Sequence, residues 1–182
     1  YDFLEDYPVA AQYRAARLMK DPTRSLAAVI DELATLPLAF HPGTSWHYSV
    51  GIDVAARLIE VISGQTLGDF LHERLFAPLG MLDTAFGVPE SQRHRVSAMY
   101  GVPDLLAEGM TWSTEFGHFM AGNIGRRKVD ATYPVDAPTT FQRGGYGLFS
   151  TADDVAKFAQ AMLRGGGGVL SPLAVEKMST PQ

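Results

Sequence analysis

Residues 50–63 read VGIDVAARLIEVIS, and no other stretch constrains the fold as strongly. Ile52, Ala55, Ile59 and Ile62 recur at helical spacing on one side, while Arg57 and Glu60 fall on another. A stripe of this kind ordinarily packs against a core. Gly64 is a natural stop, because glycine enters the left-handed region that ends so many helices. The chain is thus expected to build a packed helix here.

Further helices follow from the same periodicity. In 8–20 (PVAAQYRAARLMK), Pro8 suits the first helical position, with Val9, Tyr13, Ala16 and Met19 or Lys20 behind it. In 21–36, Asp21 can cap and Pro22 can start, with Leu26, Val29, Ile30 and Leu33 on one face. Residues 66–80 open with a capping box, Thr66 with Asp69. Residues 150–163 repeat it with Ser150 and Asp153, and RGGGG (164–168) reads as a flexible exit. A last helix begins at Ser171-Pro172. Between them RVSAMY (95–100) alternates as a short strand does, and 103–145 reads mostly as loop with strand fragments. The fold class is mainly α with a few short β strands.

Composition narrows the function. Fifteen Lys and Arg against 20 Asp and Glu give a net charge of −5. Arg126-Arg127-Lys128 is the sole cationic cluster and reads as a solvated loop, so nucleic acid is not an expected partner. No apolar run reaches the about 18 residues of a membrane helix. Cysteine is absent, which removes thiolate nucleophiles and Cys-based zinc sites. Neither that absence nor the lack of a visible signal peptide chooses between a bacterial cytoplasm and periplasm. The histidines at 41, 47, 72, 94 and 118 form no His-Glu-x-x-His, so no metal is expected, and no cofactor. The Gly runs at 143–147 and 164–168 lack the Gly-Lys-Ser/Thr tail of a phosphate loop. No serine stands in Gly-x-Ser-x-Gly. Asp153 and Asp154 are adjacent on a helix and do not face each other, so they read as first-turn acids complementing the dipole.

Tyr48 stands out. It follows the Pro42-Gly43 corner and immediately precedes the strongest helix. Residues 40–89, with Pro42-Gly43-Thr44, Trp46, Tyr48-Ser49, Ser63-Gly64 and FAPLGMLDT (76–84), resemble the serine β-lactamase-related hydrolases. That family comprises class C β-lactamases, DD-peptidases and family VIII carboxylesterases. GGYGLFSTADDVAKFAQAML (144–163) is similar to the family's Gly-rich turn, Ser-Thr and Asp-containing helix. Both blocks occur in the family's order and together cover well over a third of the chain.

The resemblance implies a β-lactamase/transpeptidase-like α+β fold, of which this chain is the helical lobe. It implies acyl transfer through a serine ester, with Tyr48 on the position of the tyrosine that takes and returns a proton. Val50 falls where class C enzymes carry Asn, and YSVGID looks more like the esterase branch, with an Asp near Asp53. Ester substrates are therefore favoured over β-lactams. Tyr146 matches a position lining the acyl side-chain pocket, so Tyr146 and Val50 are the candidate substrate-binding residues.

Two family motifs have no match. The lysines stand at 20, 128, 157 and 177; none closes a Ser-x-x-Lys and none opens a Lys-Thr-Gly. The expectation is that residues 1–182 are a single domain, the excised middle segment of a larger serine hydrolase. Its partner would be the missing α/β domain of the same polypeptide, and the fragment alone is expected to expose an apolar face or self-associate. Physical chemistry agrees. A phenol titrates at about 10, so one usable near neutral pH needs roughly 4 kcal/mol of help. A helix N-terminus offers at most about 2 kcal/mol. The remainder calls for nearby cations, and Arg57 lies too far down its helix. The chain alone is expected to be inactive. A non-catalytic penicillin-binding-like or interaction domain, and an acyltransferase parent, remain alternatives.

Overall fold

Four helices begin in the same way, with a side-chain oxygen taking up an otherwise unbonded amide of the first turn. Ser25 accepts from Ala28 N at 3.2 Å, Thr66 from Asp69 N at 3.1 Å, Thr151 from Asp154 N at 3.2 Å and Ser171 from Ala174 N at 3.1 Å. The computed structural model describes residues 9–16, 18, 23–97, 100–101, 127–128 and 142–180. In chain order the helices are α1 (Ala10–Ala16), α2 (Leu26–Leu33), α3 (Gly51–Ser63), α4 (Leu67–Leu71), α5 (Ala152–Leu163) and α6 (Pro172–Ser179). A π-helical turn, His72–Phe76, continues α4, and a 3-10 turn spans Glu90–Arg95.

The strands are two residues long. β1 (Ala85–Phe86) pairs antiparallel with β4 (Leu148–Phe149), Ala85 opposite Phe149. β2 (Tyr100–Gly101) pairs antiparallel with β3 (Arg127–Lys128). Two small cores hold the helices. Val9, Tyr13, Leu18 and Val29 form one, against Leu33 and Leu36. Leu26, Ala56 and Leu67 form the other, against Ile59, Leu71 and Phe86, and Ile30 touches both. Each such buried aliphatic side chain contributes about 1.5–3 kcal/mol.

Several sequence expectations are corrected. α2 starts at Leu26 under Ser25, and Asp21 and Pro22 lie outside the described residues, as do Pro8, Met19 and Lys20. The capping residue of α5 is Thr151 in place of Ser150. The helix expected to 80 widens at His72, where Ala77 N reaches His72 O at 2.9 Å and Met81 N reaches Phe76 O at 2.8 Å. Pro78 has no amide for the regular ladder, which explains the change. The strand expected at 95–100 is a 3-10 turn through Arg95 followed by β2; Ala98 lies outside the described residues, with most of 103–145. Arg127 and Lys128 belong to β3, not to a loop. RGGGG is specifically shaped: Gly165 to Gly168 all take positive φ, and a Cβ on Gly166 would stand 2.2 Å from Leu170 O.

The largest departure concerns α3. Its expected stripe is split: Ile59 packs on the Leu26, Ala56 and Leu67 core, while Ile52, Ala55 and Ile62 are exposed together with Leu58 and Val61, Ile62 at 84%. Asp53 and Ala56 are buried instead. Part of the polar side is satisfied within these residues. Arg57 pairs with Glu60 at 3.0 Å, and Glu60 accepts from Leu67 N at 3.2 Å, stitching α3 to the start of α4. Gly64, left-handed at φ 71, ends the helix where the sequence places its end.

Candidate functional site at the start of α3

His41-Pro42-Gly43-Thr44 forms a closed corner. Thr44 N and Thr44 Oγ1 both donate to His41 O, at 3.1 and 2.7 Å, and Gly43 stands at φ +82. Proline followed by a positive-φ glycine is the type II turn pattern, and it stiffens the approach to α3. The chain then runs without regular structure through Trp46, which is 85% exposed, to Tyr48, 70% exposed. Among the described residues the Tyr48 hydroxyl makes no hydrogen bond. Ser49 Oγ beside it is shut off from solvent and has no hydrogen-bond partner among them.

Val50 is the N-cap of α3 and supplies no side-chain bond to it. No side chain caps this helix start, although Asp53 N is taken by Val50 O at 3.0 Å, and the positive end of the helix dipole lies toward the segment that carries Tyr48. Arg57, the cation nearest along the helix, is committed to Glu60. Lys157 is committed as well, donating to Gly80 O at 2.8 Å and to Asp154 Oδ1 at 2.9 Å.

Asp53 organises the neighbourhood. Only 3% exposed, it accepts from Gly144 N at 2.9 Å and from the Gly145 amide. Burial pushes its carboxyl above the usual carboxylate range, against the pull of those two amides and of the Arg143 charge. The loop that carries Tyr146 is thereby docked on the first turn of α3. A Cβ on Gly144 would meet Ile52 O at 2.3 Å, so this approach requires glycine. Tyr48 and Val50 on one segment and Tyr146, 41% exposed, on the other therefore belong to the same end of one helix.

The residues before that loop extend the anchorage. Arg143, 1% exposed, donates from Nη2 to Arg24 O at 3.0 Å and from Nη1 to Gln142 O at 2.9 Å. Gln142 Oε1 accepts from Gly68 N at 2.6 Å. Gln142, Arg143 and Gly144 thus touch the starts of α4, α2 and α3 in turn. Sequence reasoning missed Gln142 and Arg143; the signal that could have found them was a long polar pair directly before a glycine pair, QRGG.

Farther along, Asp154 is no plain dipole acid. It is buried and accepts from Asp83 N at 2.8 Å and Thr84 Oγ1 at 2.9 Å, while Thr84 and Ser150 share a hydrogen bond of 2.8 Å. It joins the LDT corner (82–84) to α5. An open cavity of about 210 Å³ lies beyond Gln142, lined by Gly68, His72, Phe76, Thr84 and Phe86, and none of Tyr48, Val50 and Tyr146 borders it. Among the described residues no cluster of His, Asp and Glu could hold a metal ion.

A family model described as Beta-lactamase matches residues 3–182. Lovastatin esterase of Penicillium rubens is 31% identical over 178 residues, covering 98% of this chain and 40% of that protein. Esterase EstB of Burkholderia gladioli is 31% identical over 144 residues, covering 78% of this chain and 35% of that protein. Among solved structures, EstCE1, a hydrolase with promiscuous acyltransferase activity, aligns with a TM-score of 0.66 at 22% identity, over 90% of this chain and 42% of that one. The mainly helical arrangement with short strands is thus part of a β-lactamase/transpeptidase-like fold. The chain spans between 35% and 40% of the length of these curated relatives.

Proposed function

The chain belongs to the Beta-lactamase family, and from that premise we propose that it is the helical lobe of a serine esterase in which Tyr48 transfers the proton. A serine outside these 182 residues attacks the ester carbonyl. Its hydroxyl proton passes to the Tyr48 oxygen and then to the departing alcohol, leaving an acyl group on the serine. Water repeats the sequence and frees the acid. The single observation that carries this reading is the placement of Tyr48: an exposed phenol just after the 41–44 corner and just before the start of α3, where no side chain caps the helix.

Tyr146 and Val50 are the proposed substrate contacts. Val50 offers no amide to a β-lactam, so esters are the proposed substrates. The outward apolar face of α3 supports a further α/β domain of the same polypeptide as its neighbour, and that domain would bring the serine and the lysines. A second reading, transfer of the acyl group to an alcohol in place of water, is favoured by the likeness to EstCE1, whose acyltransferase activity accompanies its hydrolysis.

The test uses p-nitrophenyl butyrate and nitrocefin. In the whole protein Tyr48→Phe is expected to lower ester turnover by about 10²–10⁴-fold at unchanged melting temperature. Residues 1–182 alone are expected to show no more turnover than their own Tyr48→Phe variant. Nitrocefin cleaved faster than the ester by the whole protein, or full ester turnover by Tyr48→Phe, would refute the assignment.

A further inference from the structure

Asp53 belongs to the first turn of α3, yet its carboxylate serves another segment. It accepts from two successive amides, Gly144 at 2.9 Å and Gly145. Two successive N–H groups converging on one anion form a nest, and a carboxylate with two free oxygens fits it. Arg143 adds a positive charge close by. The Gly144 backbone lies hard against Ile52 O, so the loop and the helix start meet without side chains between them. Five residues before Asp53 stands Tyr48; two after Gly144 stands Tyr146. Both phenols are exposed, and the segments that carry them meet at this one buried acid.

We propose that Asp53 is a positioning residue, which holds the Tyr146 loop against the turn of Tyr48 and so fixes the gap in which substrate is seated. It touches no substrate itself. The proposal rests on the esterase reading for its kinetics but not for its geometry. An asparagine at 53 keeps one acceptor oxygen and turns an NH2 group toward the second amide, so it breaks half of the nest. An alanine breaks all of it. In either case the loop is released while Tyr48 keeps its place in the chain just before α3.

The experiment measures amide exchange and steady-state kinetics of the whole protein as wild type, Asp53→Asn and Asp53→Ala. Protection of peptides covering 142–147 is expected to fall by about tenfold or more in Asp53→Ala and by less in Asp53→Asn, with α5 unchanged, as loss of charge-assisted hydrogen bonds requires. KM for p-nitrophenyl butyrate is expected to rise by about tenfold in Asp53→Asn with kcat held within about threefold, since substrate seating suffers and the proton transfer does not. On a Tyr146→Ala background the same substitution should change KM little, because its effect runs through Tyr146. Unchanged protection at 142–147, a KM effect that persists without Tyr146, or protection lost throughout the molecule in Asp53→Asn would each overturn the proposal. A wild type without ester turnover would strike the esterase reading alone, and the exchange pattern would still decide the role of Asp53.

Discussion

At the residue scale, neighbouring glycines of the docked loop have different duties. A methyl group on Gly144 would stand 2.3 Å from the Ile52 carbonyl oxygen, and backbone on both sides leaves little room to yield. A methyl group on Gly145 would stand 3.5 Å from Asp53 Oδ2, an ordinary contact. Gly144→Ala is therefore expected to destabilise by about 1–3 kcal/mol, and Gly145→Ala by much less. Thermal unfolding of the two variants checks the difference, and equal losses would mean that the approach to α3 is not tight. Legibility at this scale followed the range of the interaction. Gly64 was readable because its task is settled within one helix end. The tasks of Arg143 and Asp53 were not, because their partners stand 119 and 91 residues away in the chain. Tyr48 could be singled out as a candidate only because its whole neighbourhood matched a known pattern.

At the scale of the element, α5 shows how a local reading falls short. Its first-turn acids were legible, and Asp153 fits that reading, paired with Lys157 at 2.9 Å. Asp154 differs because its side chain leaves the helix for the 82–84 corner. Burial works to raise its pKa, but the Lys157 ammonium, the Asp83 amide and the Thr84 hydroxyl together outweigh it and hold the carboxyl below its ordinary 3.8. An acid with a depressed folded pKa contributes stability that is present above its unfolded value and lost as pH falls through the folded one. The packing of α5 on the corner is thus expected to weaken as pH drops below 3.8, in a step that Asp154→Asn removes. Asp154→Ala should cost about 1–3 kcal/mol near neutral pH, since the Asp83 amide loses its acceptor. Chemical denaturation of both variants across that pH range would show it; a wild-type acid slope kept intact in Asp154→Asn would contradict it. The π-helical turn before Pro78 was hidden for a different reason: periodicity extends a helix until an imino acid forbids it, and cannot say how the chain relaxes beforehand.

At the scale of the whole molecule, α3 keeps much of its apolar surface uncovered by the described residues. Periodicity grouped Ile59 with Ile52, Ala55 and Ile62, but Ile59 packs on the core and the other three are exposed, because periodicity cannot tell which part of an apolar arc the rest of these residues covers. Glu60 accepts from Leu67 N and pairs with Arg57, so this polar flank is satisfied without covering the exposed apolar side chains. The 182 residues alone are therefore expected to bind an apolar dye and to sediment as more than a monomer, and Leu58→Ser with Ile62→Ser should abolish both. A clean monomer that binds no dye would mean that the exposed stripe is too slight to matter. A different lesson comes from Gln142, Arg143 and Gly144, three neighbours clamped to the starts of three helices. Whatever path precedes them, the polypeptide is brought back into step at Gln142. The address of Tyr146 is thereby written by these three residues and the helix starts they grip, and not by the length of chain that leads to them.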